Sequence, residues 1–284
     1  MHLRYAEFYI TNVCNLSCNG CNRFNNHKFK GLQRWADYKD VYAQWAKEVK
    51  IGNIGILGGE PLLNPDIIEW ISGIRELWPY TKIKIVTNGF QLDKVKNLYD
   101  YLASDKNTTL WVGVHNKMHK KMIVDKVKNF MQGEVTYEFN TDNQYQQYMW
   151  MTDGNGVRIK IEYNWWFHQG ALVTAENGFT LHNSDVDKAH NNCHMNTCHH
   201  FIRGELYKCG VVALLPEFNE QNKLSLSTDD LELMQSYRSL NIHDSRETKI
   251  EFVNNLPKSI PQCKFCPEVY NGDQIFSLEK KEVL

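Results

Sequence analysis

The sequence predicts an α/β protein whose first half is organised around a parallel sheet. Two patterns carry that expectation. Short β-branched runs alternate with amphipathic segments from Arg4 to Tyr163, and their spacing leaves room for a crossover helix between successive runs. The alternation then breaks. After Tyr163 the chain is loop-rich, with many Asn and His, and five of its eight cysteines fall there. A length of 284 residues suits one large domain, or one domain with a small appendage, and is enough to bury a sizeable core.

The first predicted strand is 4–11, aromatic and β-branched (RYAEFYIT). Further strands are predicted at 54–57, 82–87, 109–114, 135–139 and 157–163. Helices are predicted between them at 38–50, 66–77, 92–103, 118–131 and 143–151. In the fourth of these, Met118, Met122, Ile123, Val127, Phe130 and Met131 recur at helical spacing, with lysines at other positions. That pattern reads as a core stripe with a solvated basic face rather than a basic binding helix. Six strands are fewer than the eight of a closed barrel, so an open partial barrel and a doubly wound sheet both fit. Beyond the break, 229–239 reads as a helix and 274–283 as a strand or tail. The expected boundary divides the chain into 1–165 and a small cysteine-bearing module, 166–284.

Charge and hydropathy narrow the class. Lys and Arg number 32 against 33 Asp and Glu, a formal charge of −1. So balanced a chain is not built to sit on an anionic membrane, and nucleic acid is not an expected partner. Mean hydropathy is −0.51, and no apolar run approaches the ~20 residues of a membrane span. The first residues lack the basic-then-apolar pattern of a secretory signal, so the expected compartment is the cytoplasm. There, clustered cysteines point to metal or redox chemistry rather than disulfides.

The cysteines form three groups: Cys14, Cys18 and Cys21; Cys193, Cys198 and Cys209; Cys263 and Cys266. The first follows directly on the first strand with the spacing C-x3-C-x2-C. Three thiolates on one loop can wrap a compact inorganic object. They fall one short of the four ligands of a structural zinc or a fully ligated 4Fe-4S cluster, which leaves an open coordination position. A zinc site completed by His27 is the alternative.

This motif just after a first strand, in a chain of βαβ type, resembles the radical S-adenosylmethionine (radical SAM) superfamily. Gly58-Gly59-Glu60-Pro61 after the second strand resembles the family's GGE motif, and Thr87-Asn88-Gly89 after the third resembles its T-N-G. The resemblance covers roughly residues 5–165. It implies an α/β fold with a partial (β/α)6 TIM-like barrel. It also implies a catalytic 4Fe-4S cluster on Cys14, Cys18 and Cys21 that binds S-adenosylmethionine (SAM) at its open iron. Reductive cleavage of SAM then gives a 5′-deoxyadenosyl radical that abstracts hydrogen from a substrate. By the same resemblance Glu60 accepts from the SAM ammonium, the glycines admit a close backbone approach, and Thr87 and Asn88 contact SAM. His115, Asn116 and Asn140, at later strand ends, are candidates for its ribose hydroxyls. The family usually has an aromatic residue just before the third cysteine; this chain has Gly20 there, and Phe24 is the candidate replacement. Arg158, Lys160 and Glu162 alternate along the sixth strand. They either face into the barrel, toward SAM or substrate, or form a solvated edge.

The later cysteines read C-x10-G-x4-C, from Cys193 through Gly204 to Cys209, and C-x2-C at Cys263 and Cys266. These resemble the start of the SPASM module and its shortened twitch form. The resemblance implies one auxiliary 4Fe-4S cluster on Cys193, Cys209, Cys263 and Cys266, with Cys198 spare and Gly204 in a hairpin turn. Zinc held with His194, His199 or His200 is the alternative at this site. The family resemblance further implies an oxidoreductase-type enzyme fed by a flavodoxin- or ferredoxin-type electron donor. The chain opens on its first predicted strand, with no peptide-recognition segment before it. This tilts the expectation toward net oxidation of a small carbohydrate- or nucleoside-type substrate. A peptide-modifying maturase working with a partner, and a non-catalytic zinc-binding interaction protein, are the competing readings.

Overall fold

A computed structural model of the chain describes residues 1–140, 147–163, 166–167, 170–176, 178–193, 195–269, 273–274 and 277–279. In chain order the N-terminal elements are β1 (His2–Tyr9), β2 (Leu16–Cys18), α1 (Trp35–Glu48), β3 (Lys50–Leu57), α2 (Ile67–Leu77) and β4 (Lys82–Thr87). Then come α3 (Leu98–Ser104), β5 (Thr108–Val114), α4 (Lys120–Phe130), β6 (Val135–Asn140), β7 (Gln147–Asp153) and β8 (Arg158–Tyr163). They are followed by the short strands β9 (Trp166–Phe167), β10 (Leu172–Ala175) and β11 (Gly178–Leu181), then α5 (Val186–Asn191). Next are β12 (His199–Ile202), β13 (Glu205–Tyr207), α6 (Gly210–Asn222), α7 (Thr228–Gln235) and α8 (Arg246–Asn255), with β14 (Asp273–Gln274) and β15 (Ser277–Glu279) near the end.

Among the described residues nine strands make one sheet, in the order β13-β12-β1-β3-β4-β5-β8-β7-β6. From β12 to β8 neighbouring strands run parallel, and β13, β7 and β6 are added antiparallel at the two edges. The chain is therefore α/β with a parallel sheet, as expected of a partial barrel. Alternation decides which face is covered. Ile83 and Ile85, Leu110, Val112 and Val114, and Ile159 and Ile161 are all buried. Their pleat partners Lys84, Trp111, Lys160 and Glu162 are only half-buried. One face thus packs in the core with the helices, and the other is a polar, aromatic surface.

The sixth parallel strand is not the predicted one. The 135–139 run is a strand, but it lies at the outer edge, antiparallel to β7. β7 itself corrects a predicted helix: 143–151 was read as helical, yet Met149, Met151 and Asp153 are buried while Tyr148, Trp150 and Thr152 are half-buried, a period of two. Residues 143–146 of that prediction lie outside the described residues. The parallel partner on the other side of β1 is β12, from the far end of the chain. Its Phe201 stacks on Phe8 at 5.1 Å, and the following turn is pinned to α1: Trp45 Nε1 donates to the Gly204 carbonyl at 2.7 Å, and the Gly204 amide donates to Tyr42 Oη at 3.1 Å. Gly204 sits in the hairpin turn as expected, at φ +80°, where a Cβ would lie 2.6 Å from Val41.

Other differences are local. The helix predicted over 92–103 starts only at Leu98, after Asn97 adopts φ +63°. Helix α6 was not expected; Pro216 lies inside it, and the helix continues past that missing donor. Helices α5 and α8 were also missed. Near the C-terminus, β15 pairs antiparallel with β2, which lays Ser277 opposite Cys18 on the cysteine loop. Among the described residues no helix is long and apolar enough to cross a membrane.

Candidate active site

The first three cysteines lie on the loop that leaves β1, and backbone contacts fasten that loop to the next strand end. The Gly59 amide donates to the Thr11 carbonyl at 2.7 Å, and the Glu60 amide to the Val13 carbonyl at 2.8 Å. No side chain fits between them: a Cβ on Gly59 would sit 2.4 Å from the Val13 carbonyl oxygen and 2.9 Å from the Cys14 Cβ. This is the physical reason for the Gly-Gly pair. Asn25 holds the loop from within, donating to Tyr9 Oη at 2.9 Å and to the Asn12 carbonyl at 2.7 Å. Cys14, Cys18 and Cys21 then line one wall of a cavity of about 260 Å³, together with Gly58, Gly59 and Asn88. The Leu16 amide points at Cys14 Sγ, 3.4 Å away. Burial, and after it the negative charge of Glu60, pushes the Cys14 thiol well up, so its proton is one that a metal must displace.

Glu60, expected to meet the SAM ammonium, is held here by three protein donors. Its side chain is fully buried. One carboxylate oxygen accepts from the Leu62 amide at 3.0 Å and the Thr87 hydroxyl at 2.6 Å, and the other from the Asn88 amide at 2.7 Å. Burial pushes its pKa up to about 7 against these donors. Glu60 therefore ties the two motif loops together from behind, and the Gly58–Gly59 backbone is what faces the cavity. Pro61 is buried beside it, opening a 3-10 turn.

The structure brings some of the other predicted residues to the cavity and not others. Thr87 and Asn88 line it. Asn88 donates to Asn15 Oδ1 at 2.8 Å and lies 4.0 Å from Cys14 Sγ. His115 also lines it, and burial pushes its pKa down to about 4, so the ring is neutral near pH 7. Asn140 does not: it ends the outermost strand, where it donates to Tyr148 Oη at 2.5 Å, with β7 and β8 between it and β5. Phe24 cannot replace the missing aromatic residue, because it is fully buried and stacked on Phe218 at 4.8 Å. His27 packs against Phe179 and Phe218, at 4.4 and 5.7 Å, rather than with the thiols.

The same cavity is also lined by charged groups, and most of them carry no contiguous sequence motif. Glu7, Arg23, Lys84, Trp111 and Glu162 converge there from β1, the cysteine loop, β4, β5 and β8. Of the sixth-strand residues, Glu162 lines the cavity, Lys160 bonds to Glu162, and Arg158 is exposed beside Glu138. Arg23 and His200 both meet Glu7 Oε2 at 2.8 Å, and the Tyr5 hydroxyl donates to Oε1 at 2.8 Å. Burial opposes ionisation of Glu7, but these two partners outweigh it and hold the carboxyl well below the usual range. The period-two pattern of Tyr5 and Glu7, and of Lys82 and Lys84, was the available signal.

The later cysteines form a second centre. Cys193, Cys209, Cys263 and Cys266 line one small cavity of about 30 Å³, at α5, the start of α6 and the 3-10 turn Pro261–Phe265. Burial pushes Cys209 up to about 11, although the first amides of α6 favour its thiolate. Cys198 is not part of this cavity. Burial, then the charge of Glu7, pushes it up to about 12. His199 Nδ1 meets the Lys208 carbonyl at 2.9 Å, His200 is taken by Glu7 and the Cys198 carbonyl, and His194 lies outside the described residues. An adjoining space of about 60 Å³ is lined by Cys193, Cys209 and Cys266 and also by Asn22 and Arg23, so the Asn22–Arg23 stretch borders both thiol centres. Among the described residues no three His, Cys, Asp or Glu side chains close on a single-ion point.

Residues 8–131 match the family model described as the radical SAM superfamily. A GTP 3′,8-cyclase of Pectobacterium atrosepticum is 30% identical over 95 residues, covering 31% of this chain and 28% of that protein. A probable GTP 3′,8-cyclase of Methanothermobacter thermautotrophicus is 33% identical over 84 residues, covering 30% and 27%. The chain thus spans less than a third of the length of these two relatives. Among solved structures, Streptococcus suis SuiB bound to S-adenosylmethionine is 22% identical with a TM-score of 0.38, over 45% of this chain and 31% of that one. With the cysteine loop, the Gly-Gly contact and the parallel sheet, the family match makes residues 8–131 a radical SAM domain. The residues present fit the family's cluster and SAM: three thiols line one cavity, and the Gly58–Gly59 backbone lines it beside them.

Proposed function

We propose that the chain is a radical SAM enzyme acting on a small, nucleoside-type molecule. The observation that carries this is the shared cavity of Cys14, Cys18, Cys21 and the Gly58–Gly59 backbone. When bound at these thiols, a 4Fe-4S cluster supplies the electron that splits SAM into methionine and a hydrogen-abstracting 5′-deoxyadenosyl radical. The chain's own residues place and enclose the reactants. Cys14, Cys18 and Cys21 hold three cluster positions and leave the fourth for SAM. Gly58 and Gly59 let the backbone approach closely, and Glu60 keeps that loop against Thr87 and Asn88. Neutral His115 adds a hydrogen-bonding ring without a charge. The charged groups that line the same cavity take the substrate. The relatives' names support a nucleotide-like molecule. Cys193, Cys209, Cys263 and Cys266 are the proposed ligands of an auxiliary 4Fe-4S cluster, and a flavodoxin- or ferredoxin-type protein is the proposed electron donor.

The test is anaerobic incubation of the reconstituted protein with SAM and dithionite. The wild type is expected to release 5′-deoxyadenosine, and Cys14→Ala/Cys18→Ala/Cys21→Ala to release none while keeping the iron bound at its C-terminal cysteines. Undiminished 5′-deoxyadenosine from the triple variant would defeat the reading.

A further inference from the structure

Charge bookkeeping around the 260 Å³ cavity leaves one cation over. Four charged side chains line it: Glu7, Arg23, Lys84 and Glu162. Glu7 is held by Arg23 and His200 at 2.8 Å each. Glu162 is held by Lys160. Lys84 alone of the four has no carboxylate within ion-pair distance among the described residues. Its ammonium lies 4.4 Å from the centre of the Tyr5 ring and 4.5 Å from that of Trp111. Gly55 makes room for this arrangement on the neighbouring strand, because a Cβ there would meet Tyr5 Oη at 2.4 Å. The register sets Glu7, Gly55, Lys84 and Thr109 in one row across β1, β3, β4 and β5. Lys84 is thus a half-buried cation on the cavity lining, beside two rings, with Glu7 and Glu162 acting on it only from beyond ion-pair distance.

We infer that Lys84 anchors an anionic group, phosphate or carboxylate, of the molecule bound in the cavity that the three thiols also line. The inference rests on the substrate role proposed above for this cavity. An ammonium fixed between rings has already lost part of its hydration, so an incoming anion meets a charge that needs little further desolvation or ordering. Lys84 lies four residues before Asn88 in the chain, roughly 13 Å at the rise of a strand, and Asn88 is the residue beside Cys14, so SAM alone is the control that separates the two ligands. A neutral substrate would leave the Lys84 charge unanswered on binding, which argues for a nucleotide or an acidic sugar over a plain nucleoside or neutral sugar.

Competitive acetylation tests this without any turnover. Anaerobic protein is treated with limiting acetic anhydride, and Lys84 modification is read by peptide mass spectrometry against the exposed Lys39. Parallel samples contain SAM, orthophosphate, acetate or GTP. Lys84 is expected to be protected several-fold by an anionic probe and not by SAM alone, with Lys39 unchanged. Protection by orthophosphate and GTP only identifies a phosphate site; protection by acetate as well identifies a general anion site. Lys84→Met is then expected to weaken the protecting probe about ten- to hundredfold in calorimetry, the worth of a charge-assisted hydrogen bond. Lys84→Arg should restore most of that loss, and SAM affinity should not change. Protection by none of the anions, or by SAM alone, overturns the inference. Because 5′-deoxyadenosine release is measured separately, unprotected Lys84 in a protein that still cleaves SAM refutes the anchor and leaves the radical SAM reading standing. Protection without SAM cleavage does the opposite.

Discussion

Glu60 shows how a motif residue can matter to the fold itself. Its two oxygens satisfy three buried donors from two loops, so removing them strands the Leu62 amide, the Thr87 hydroxyl and the Asn88 amide. Glu60→Ala is therefore expected to cost roughly 2–5 kcal/mol of folding stability, since each orphaned buried donor costs about 1–3 kcal/mol and the losses are only partly additive. Glu60→Gln keeps one acceptor and should lose less. Urea unfolding of the purified variants measures both. An alanine variant as stable as the wild type would show that this buried carboxylate does not hold the loops. The cysteine spacing and the two motifs were readable because each is contiguous, and its chemistry needs those residues at that separation. Glu7, Arg23, Lys84 and Trp111 were not, because they meet only after four elements have taken up a register that no local pattern encodes.

The antiparallel edge formed by β6, β7 and β8 was the least legible part of the sheet. Met149 and Met151 suit a helix as readily as a strand, and only pairing with β8 decides between them. What turns the chain between β7 and β8 is Asp153. It is buried and accepts from Tyr99 Oη at 2.7 Å, from the amides of Asn155 and Val157 at 3.0 Å, and from the amide of Gln132 at 3.1 Å. Burial opposes its charge, but these donors prevail and lower its pKa. A carboxylate with a lowered folded-state pKa stabilises the fold above its unfolded value, near 3.9, and loses that contribution as the pH falls through the folded value. Asp153→Ala is accordingly expected to cost about 2–4 kcal/mol at pH 7, with the gap to the wild type narrowing below pH ~4. Denaturant titrations at pH 7 and pH 3 would reveal it, and a gap that does not shrink in acid would contradict this assignment.

At the scale of the whole molecule, the composition break near residue 165 does not mark the end of the sheet. β12 and β13 complete it, and Phe201 enters the aromatic core beside Phe8, Tyr42 and Trp45. A fragment of residues 1–165 lacks that ring and leaves the β1 edge open. It is expected to lose its near-ultraviolet circular dichroism and to self-associate on size-exclusion chromatography, as an uncovered strand edge does. A monomeric fragment with sharp native spectra would show that the parallel strands suffice alone. The β1–β12 pairing also sets a schedule for synthesis. Ala6 pairs with His199 and Glu7 with His200, so the first strand to leave the ribosome must wait for almost two hundred more residues. At 5–20 residues per second that is on the order of 10–40 s. During that interval an apolar strand, and the thiol loop that follows it, stand without their final neighbour. Recovery of native protein from a cell should therefore track translation speed and holdase supply more closely than it tracks the equilibrium stability of the finished sheet.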